Sequence, residues 1–333
     1  MIQLHVCPST LAEGFNTYSS AARKALFDGV KVSHCLNIPS PAADSIEAKE
    51  AAFKNAGRIS LSGVQPKFSM VIDEDLSLRY ARQGEQGTYI LKPRPNSYHL
   101  MNKDYCAANE HLTMQIASQV YRIETAANGL CFFTDGEAAY LTRRFDVYPN
   151  GKYQQEDFAS LMGYTRANGG SDYKYSNGSY EECAAVINRY VKASRVDILR
   201  FFRLVLFNFI TLNDDAHLKN FSLINRGDEY RLSPAYDLIN TSLHLFQPRI
   251  FALDKGLFRE GMAMSDTHSV GRGEFIEFGK RIGIPENLVK RELERFLQDS
   301  PLTDSLINQS FLSDSLKTQY RQSINYRRSM LTF

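Results

Sequence analysis

In this chain of 333 residues, 39 basic and 37 acidic side chains almost cancel to a formal charge of +2, and they are interspersed. No basic stripe offers itself to nucleic acid or to an anionic membrane surface. A hydrophobic fraction of 43% with 23% charged residues is that of a chain folded throughout, long enough for two hydrophobic cores or one two-lobed unit, and it excludes extensive disorder. Five scattered cysteines, Cys7, Cys35, Cys106, Cys131 and Cys183, give neither a disulfide framework nor a CxxC zinc pattern.

The amino terminus "MIQLHVCPST" has no basic flank and no long apolar run, and the most apolar stretch, "ILRFFRLVLFNFI", is broken by Arg200, Arg203 and Asn208. A cytoplasmic protein without membrane contact is expected. "IPSPAADS" reads as a connector. After it, "FSMVID", "LSLRYA" and "YILK" are short runs of β-formers, the last ending at Lys92. From Asp104 to Val120 the apolar residues Cys106, Leu112, Ile116 and Val120 recur with helical spacing, which predicts an amphipathic helix carrying Glu110. "CFF" and "AAYLTRRF" follow as two strands joined through "TDGE", whose Asp-Gly dipeptide favours a tight turn.

Beyond Asp146 the pattern becomes helical: "EECAAVINRYVKA", "VDILRFFRLVLFNFITL", "GEFIEFGKRIG", "NLVKRELERFLQ" and "SDSLKTQYRQSINYRRSM". The second of these is apolar almost all round, as a central buried helix would be, and it should end at Asn213. Gln155, Glu156 and Asp157 are expected to cap a helix starting at Phe158. "YTRANGGSDYKYSNGSY", from Tyr164 to Tyr180, is expected to be a mobile surface loop that could touch a protein substrate.

Directly after the buried helix comes "LNDDAHLKN", in which Asp215 and Asn220 are five residues apart, and Asp237 follows 17 residues later, behind the hairpin-like "FSLI" and "YRLSPAY". Taken alone, such a segment also fits a solvated turn after a helix. Phosphoryl transfer, however, needs a carboxylate to accept the proton of the attacking hydroxyl, and an amide oxygen with a second carboxylate to hold magnesium against nucleotide phosphates. The spacing suits Asp215 for the first task and Asn220 and Asp237 for the second, with His217 and Lys219 as phosphate donors. Upstream stand the other parts in order. The turn "SLSGVQPK" offers Ser60, Ser62, Gly63 and Lys67, with Val64 and Gln65 between, to cover phosphates; Lys92 ends a strand; Glu110 lies on the next helix. Each also has an ordinary reading, as a polar loop, a surface lysine or a solvated helical glutamate.

"SLSGVQPKF", "YILKP", "NEHLTMQIA", "TRRFD", "QEDFASLMG", "NDDAHLKNFSLI" and "LSPAYDLINT" together resemble the successive signatures of the HipA-like serine/threonine kinases, the toxins of bacterial toxin–antitoxin systems, from about Arg58 onward. The resemblance implies an α+β, two-lobed protein-kinase-like fold. Residues 1–57 would form a short N-terminal region, 58–146 a β-rich N-lobe, and 147–333 a helical C-lobe, with the active site in the cleft. It implies Asp215 as the catalytic aspartate, Asn220 and Asp237 as ligands of Mg2+, Lys92 on the phosphates of ATP, and Arg143 and Phe145 at the hinge that meets adenine. Ser60 and Ser62 fall at inhibitory autophosphorylation positions. The short front resembles the HipT branch, in which a separate small antitoxin corresponds to the missing N-terminal subdomain, beside a DNA-binding antitoxin. The family's substrates imply an aminoacyl-tRNA synthetase, of glutamyl or tryptophanyl type, as the target, and so an arrest of translation. Two readings from other classes stay open: a small-molecule kinase, and a catalytically silent nucleotide-binding partner.

Overall fold

The computed structural model describes residues 3–41, 65–97, 99–149, 151–227, 229–263 and 270–332. The first half is built on a five-stranded antiparallel sheet of order β2-β1-β3-β5-β4, with β1 Phe68–Ile72, β2 Leu78–Tyr80, β3 Tyr89–Lys92, β4 Asn128–Phe132 and β5 Ala138–Arg143. The β4–β5 connection closes where Phe133 N donates to Glu137 O at 2.9 Å, and Gly136 supplies the left-handed residue at φ +89°. Side chains alternate across the sheet with period two. Leu130, Phe132 and Tyr140 pack toward the main core, while Cys131, Ala139 and Leu141 pack into a second cluster with Tyr18, Leu26 and Phe27.

That second cluster gives the N-terminal residues a structural task. Helix α1, Ser20–Phe27, is capped by Ser19 and lies on the outer face of the sheet. Leu36 N donates to Phe132 O at 2.7 Å and Phe132 N to His34 O at 2.8 Å, so the chain around Cys35 covers the β4 edge, which would otherwise expose unpaired backbone groups. The connector reading of residues 38–41 is therefore incomplete: Thr134 N donates to Ile38 O at 3.1 Å, which ties them to the sheet.

The other face carries α2, Cys106–Gln119, and here the amphipathic expectation is corrected. Every residue from Cys106 through Ala117 is buried, because the helix is enclosed by the sheet on one side and the C-terminal helices on the other. Its polar residues find internal partners, as burial favours: His111 Nε2 meets Ser9 O at 2.7 Å, Gln115 donates to Asn128 Oδ1 at 2.9 Å, and the Thr113 and Tyr320 hydroxyls meet at 2.8 Å. Asn109 bonds Asn240 in both directions, at 2.8 and 3.2 Å. Glu110 is thereby fixed relative to the chain around Asp237.

The second half is helical: α3 Phe158–Leu161, α4 Arg166–Gly169, α5 Tyr173–Ser176, α6 Tyr180–Tyr190, α7 Ser194–Ile210, α8 Arg272–Arg281, α9 Glu286–Leu297, α10 Pro301–Gln309 and α11 Asp314–Met330. Helix α7 is the buried centre, and two of its arginines are paired, Arg200 with Asp197 and Glu124, and Arg203 with Glu292. It stops at Ile210, three residues before the expected end, and Leu212 at φ +50° turns the chain away. Helix α10 was not expected; its signal is Pro301 at the first turn. β6 Val147–Tyr148 pairs antiparallel with β7 Gly151–Lys152, and a three-stranded sheet of order β10-β9-β8 joins β8 Gln154–Asp157, β9 Ser222–Asn225 and β10 Tyr230–Leu232. The β9–β10 hairpin follows the sequence pattern. The "QED" segment is corrected from helix cap to strand, and only Asp157 caps, accepting from Ser160 N at 2.9 Å. All five cysteines are free thiols, and no helix among the described residues is long and apolar enough to cross a membrane.

Candidate active site

Lys92, the last residue of β3, is buried, and its ammonium is clasped by two carboxylates: Glu110 Oε1 at 2.5 Å and Asp237 Oδ1 at 2.6 Å. Lys67 reaches the other oxygen of Asp237 at 3.3 Å. Burial works against the Lys92 charge, but Asp237 and Glu110 outweigh it and hold the ammonium above its ordinary range. Burial would likewise raise Asp237, yet Lys92 and Lys67 hold it well below the usual carboxylate range. Glu110, more deeply enclosed, is pushed up to about 7 by burial despite Lys92. Asp237 sits at φ +56°, a left-handed conformation that Asp tolerates better than most residues. Such positions concentrate at functional sites.

The turn after α7 supplies Asp215, which is buried and accepts the Tyr175 hydroxyl on Oδ1 at 2.5 Å. Asn220 closes a one-turn helix, Leu218–Asn220, with its N–H donating to His217 O at 2.9 Å. Its side-chain Oδ1 is buried and has no hydrogen-bond partner among the described residues. A buried amide oxygen left over in this way is the donor type a hard cation takes. Among the described residues no group of three or more His, Cys, Asp or Glu side chains could hold a metal ion. Any cation here would therefore rest on Asn220, Asp237 and oxygens brought by a ligand.

A cavity of about 20 Å³ is lined by Gln65, Lys67, Lys92, Glu110, Asp215, Asp237 and Ile239. Lys67, Lys92 and Asp237 also wall a second cavity of about 200 Å³, bounded by Ile90, Ala126, Thr142, Arg143, Arg144, Phe145, Asp146, Gln155 and Tyr236. One cleft thus has a charged inner end and a mixed outer end, where Phe145 packs on Tyr236 at 5.6 Å beside Ile90 and Ala126, and Arg144 pairs with Asp146 at 2.5 Å. A larger cavity, about 480 Å³, lies against β1 and β2 near Pro39 and is lined by no acidic or basic side chain.

The sequence-derived candidates divide accordingly. Gln65, Lys67, Lys92, Glu110, Asp215, Asp237, Arg143 and Phe145 line the cleft. The Arg143 guanidinium, however, is held bidentately by Asp28, both contacts at 2.6 Å. His217 and Lys219 are not among the lining residues. His217 is buried edge-on to Tyr175 at 4.9 Å, and Lys219 is turned to Asp157 at 3.0 Å. Ser60, Ser62, Gly63 and Val64 lie outside the described residues. Sequence reasoning missed Tyr175, Gln155, Tyr236 and Thr142. The last three lie inside motifs quoted above, Gln155 in "QEDFASLMG", Tyr236 in "LSPAYDLINT" and Thr142 in "TRRFD", which was the available signal.

Burial pushes His111, His217 and His244 each down to about 4. A histidine depressed in the folded state costs nothing above its unfolded value of about 6.5 and destabilises progressively as pH falls from there toward 4, by up to about 1.4 kcal/mol per pH unit each. Glu110, raised to about 7, runs the other way between pH 7 and 4.5 and offsets one of the three. A net slope of about two protons, about 2.7 kcal/mol per pH unit, is expected between pH 6.5 and 4.5. Urea midpoints that stay flat across that window would contradict the buried neutral histidines.

The HipA-like C-terminal domain family matches residues 59–302. A relative from Haemophilus influenzae is 29% identical over 76% of this chain and 76% of its own length, and another from Sinorhizobium fredii is 29% identical over 76% of this chain and 62% of its own. Both carry "Putative kinase" in their names. Among solved structures, HipA of Shewanella oneidensis MR-1, from a toxin–antitoxin complex with HipB and operator DNA, superposes with a TM-score of 0.66 at 21% identity. The superposition covers 83% of this chain and 66% of that one. With most of its length inside the matched span, the chain belongs to the HipA-like C-terminal domain family.

Proposed function

We propose that the protein is an ATP-dependent serine/threonine protein kinase of two-lobed, kinase-like architecture, with the nucleotide in the cleft between the sheet and the helical half. One observation carries the reading: a buried lysine at a strand end is clasped by a helix glutamate and by Asp237, the lysine–glutamate pairing with which a kinase holds nucleotide phosphates. The apolar part of the outer end, formed by Ile90, Ala126 and Tyr236, suits an adenine ring, and Phe145 lies just after β5, where the chain leaves the sheet. Lys92 and Lys67 would bind phosphate oxygens, and Lys67 must leave Asp237 to do so. Asn220 and Asp237 would hold Mg2+, which supplies charge neutralisation on the phosphates. Asp215 would orient the acceptor hydroxyl and take its proton.

The Shewanella neighbour comes from a complex with an antitoxin and operator DNA. By analogy this kinase is read as a cytoplasmic toxin restrained by a DNA-binding antitoxin. An aminoacyl-tRNA synthetase is the proposed substrate. Incubation with labelled ATP and a cell lysate tests the activity. A labelled protein band is expected; a labelled metabolite would make it a small-molecule kinase, and no transfer a silent nucleotide-binding partner. Autophosphorylation at Ser60 or Ser62 is expected to add about −1.5 to −2 charges close in sequence to Gln65 and Lys67, which line the cleft, and to repel the nucleotide triphosphate. Calorimetry on phosphorylated and unmodified protein checks this, and equal ATP affinities would defeat it.

A further inference from the structure

The turn that carries Asp215 and the turn that carries Asp237 are tied to each other by two buried side chains, Asn213 and Thr241. Asn213, three residues beyond the end of α7, is fixed to that helix through Asn208: its N–H donates to Asn208 O at 2.9 Å and its Nδ2 to Asn208 Oδ1 at 3.0 Å. Its side chain then spans the two turns, with Oδ1 accepting from Asp215 N at 3.3 Å and Nδ2 donating to Asp237 O at 3.5 Å. Thr241 closes the other side. Its N–H donates to Leu212 O at 3.1 Å, its hydroxyl donates to the same carbonyl, and Oγ1 accepts from Asp214 N at 3.2 Å. Thr241 is itself anchored, because the preceding Asn240 bonds Asn109 of α2 and, through Nδ2, Ser323 of α11 at 2.7 Å. Leu212 and Asp237, whose carbonyls these contacts hold, are both left-handed, at φ +50° and +56°. That conformation is sterically costly for a residue with a side chain and persists only where its surroundings hold it.

Resting on the reading of Asp215 as general base, we propose that Asn213 and Thr241 are positioning residues, a brace that sets the separation of Asp215 from Asp237. Neither side chain lines the two cavities of the cleft, so both act through the turns they hold. In the transfer, the acceptor oxygen forms a bond to the γ-phosphorus while the bond from that phosphorus to the β,γ-bridging oxygen breaks. ADP leaves with the electron pair, and the hydroxyl proton passes to Asp215. Asp215 serves the acceptor and Asp237 the phosphate end, so the reach between the reacting atoms follows the spacing of the two turns. A misplacement of about 1 Å can cost such a reaction about 10²-fold. The residue types suit the task, since an amide carries a donor and an acceptor on one planar group and a hydroxyl carries both on one atom. Tyr175, delivered by the Tyr164–Tyr180 segment that was expected to be a surface loop, steadies the Asp215 side chain at Oδ1. The brace fixes the backbone beneath it.

The test uses the full chain and two readouts. One is kcat and KM with Mg2+ and ATP, from released phosphate and intact mass; the other is amide hydrogen exchange of the nucleotide-free protein, followed by NMR. Thr241→Val keeps the shape of the side chain and removes the hydroxyl. It is expected to speed exchange at the Asp214 amide, which loses its acceptor, about tenfold, and to lower kcat about tenfold with KM for ATP within about threefold of wild type. Thr241→Ser restores the hydroxyl and should bring both readouts back to within about threefold. Asn213→Ala cuts the direct link between the turns and should lower kcat about 10²-fold; it decides alone if the valine variant melts below the assay temperature. Folded variants that exchange faster at Asp214 or Asp215 yet keep the wild-type kcat, or lose only in KM, make the contacts merely structural and overturn the proposal while the kinase reading stands. A serine variant as slow as the valine one overturns it too, because the loss would then lie in packing and not in the hydroxyl. A wild type no faster than Asp215→Asn overturns both readings.

Discussion

Asp215→Asn is expected to leave the melting transition nearly unchanged and to lower phosphotransfer by roughly 10²–10⁴-fold, the usual contribution of a positioned general base. The fold should survive because an amide oxygen can still accept the Tyr175 hydroxyl that now rests on Oδ1. What disappears is the ability to take the acceptor's proton. ATP affinity in the presence of Mg2+ should change little, since Lys92, Lys67, Asn220 and Asp237 are untouched. A folded variant that turns over at a near-normal rate would remove Asp215 from its role. One that stops binding nucleotide would move that role from chemistry to binding.

The parts of this site that were legible in the sequence share a property. Asp215 and Asp237 line one cavity because one buried helix and one hairpin return the chain to the same place, so their spacing along the chain encodes their approach, while Asn220, between them in sequence, lines neither cavity. Lys92 and Glu110 were legible because a strand end and the next helix form a local unit. Tyr175 was not, because its approach to Asp215 spans 40 positions and the two helices α6 and α7 between them. A Gly-, Ser-, Asn- and Tyr-rich composition has no period to read, and it resembles a solvated loop until the chain beneath it is known. The burial of α2 on all sides was hidden for a related reason. Asn109, His111 and Gln115 look like a solvent face, but their partners Asn240, Ser9 and Asn128 come from three distant segments. His217 and Lys219 show the converse error. Their side-chain chemistry suits phosphate, yet the one-turn helix at Leu218–Asn220 keeps Asn220 in the buried turn and turns Lys219 out to Asp157.

Lys92→Met is expected to have the largest effect on stability. It removes the cation between two carboxylates 2.5 and 2.6 Å away while preserving most of the side-chain volume, so its cost is electrostatic. Breaking a buried pair in this way costs about 3–5 kcal/mol, because the remaining charge is uncompensated. Of the two carboxylates Glu110 should suffer more: Asp237 is 22% exposed and retains Lys67, whereas the Glu110 side chain is 4% exposed. Glu110 can escape by taking up a proton, and burial already raises it to about 7. A carboxylate raised in the folded state adds its penalty as pH rises above the unfolded value near 4.5, so the deficit against wild type should be larger at pH 8 than at pH 5.5. Lys92→Met/Glu110→Gln should regain most of the stability at pH 8, since an amide needs no counter-ion. Function should not return with it, because the cation proposed to hold the nucleotide phosphates is still missing. Urea melts at the two pH values, with ATP calorimetry on both variants, separate the two roles of Lys92. A single variant that loses less than about 1 kcal/mol at pH 8 would contradict the buried pair, and a double variant that binds ATP as tightly as wild type would take Lys92 off the phosphates.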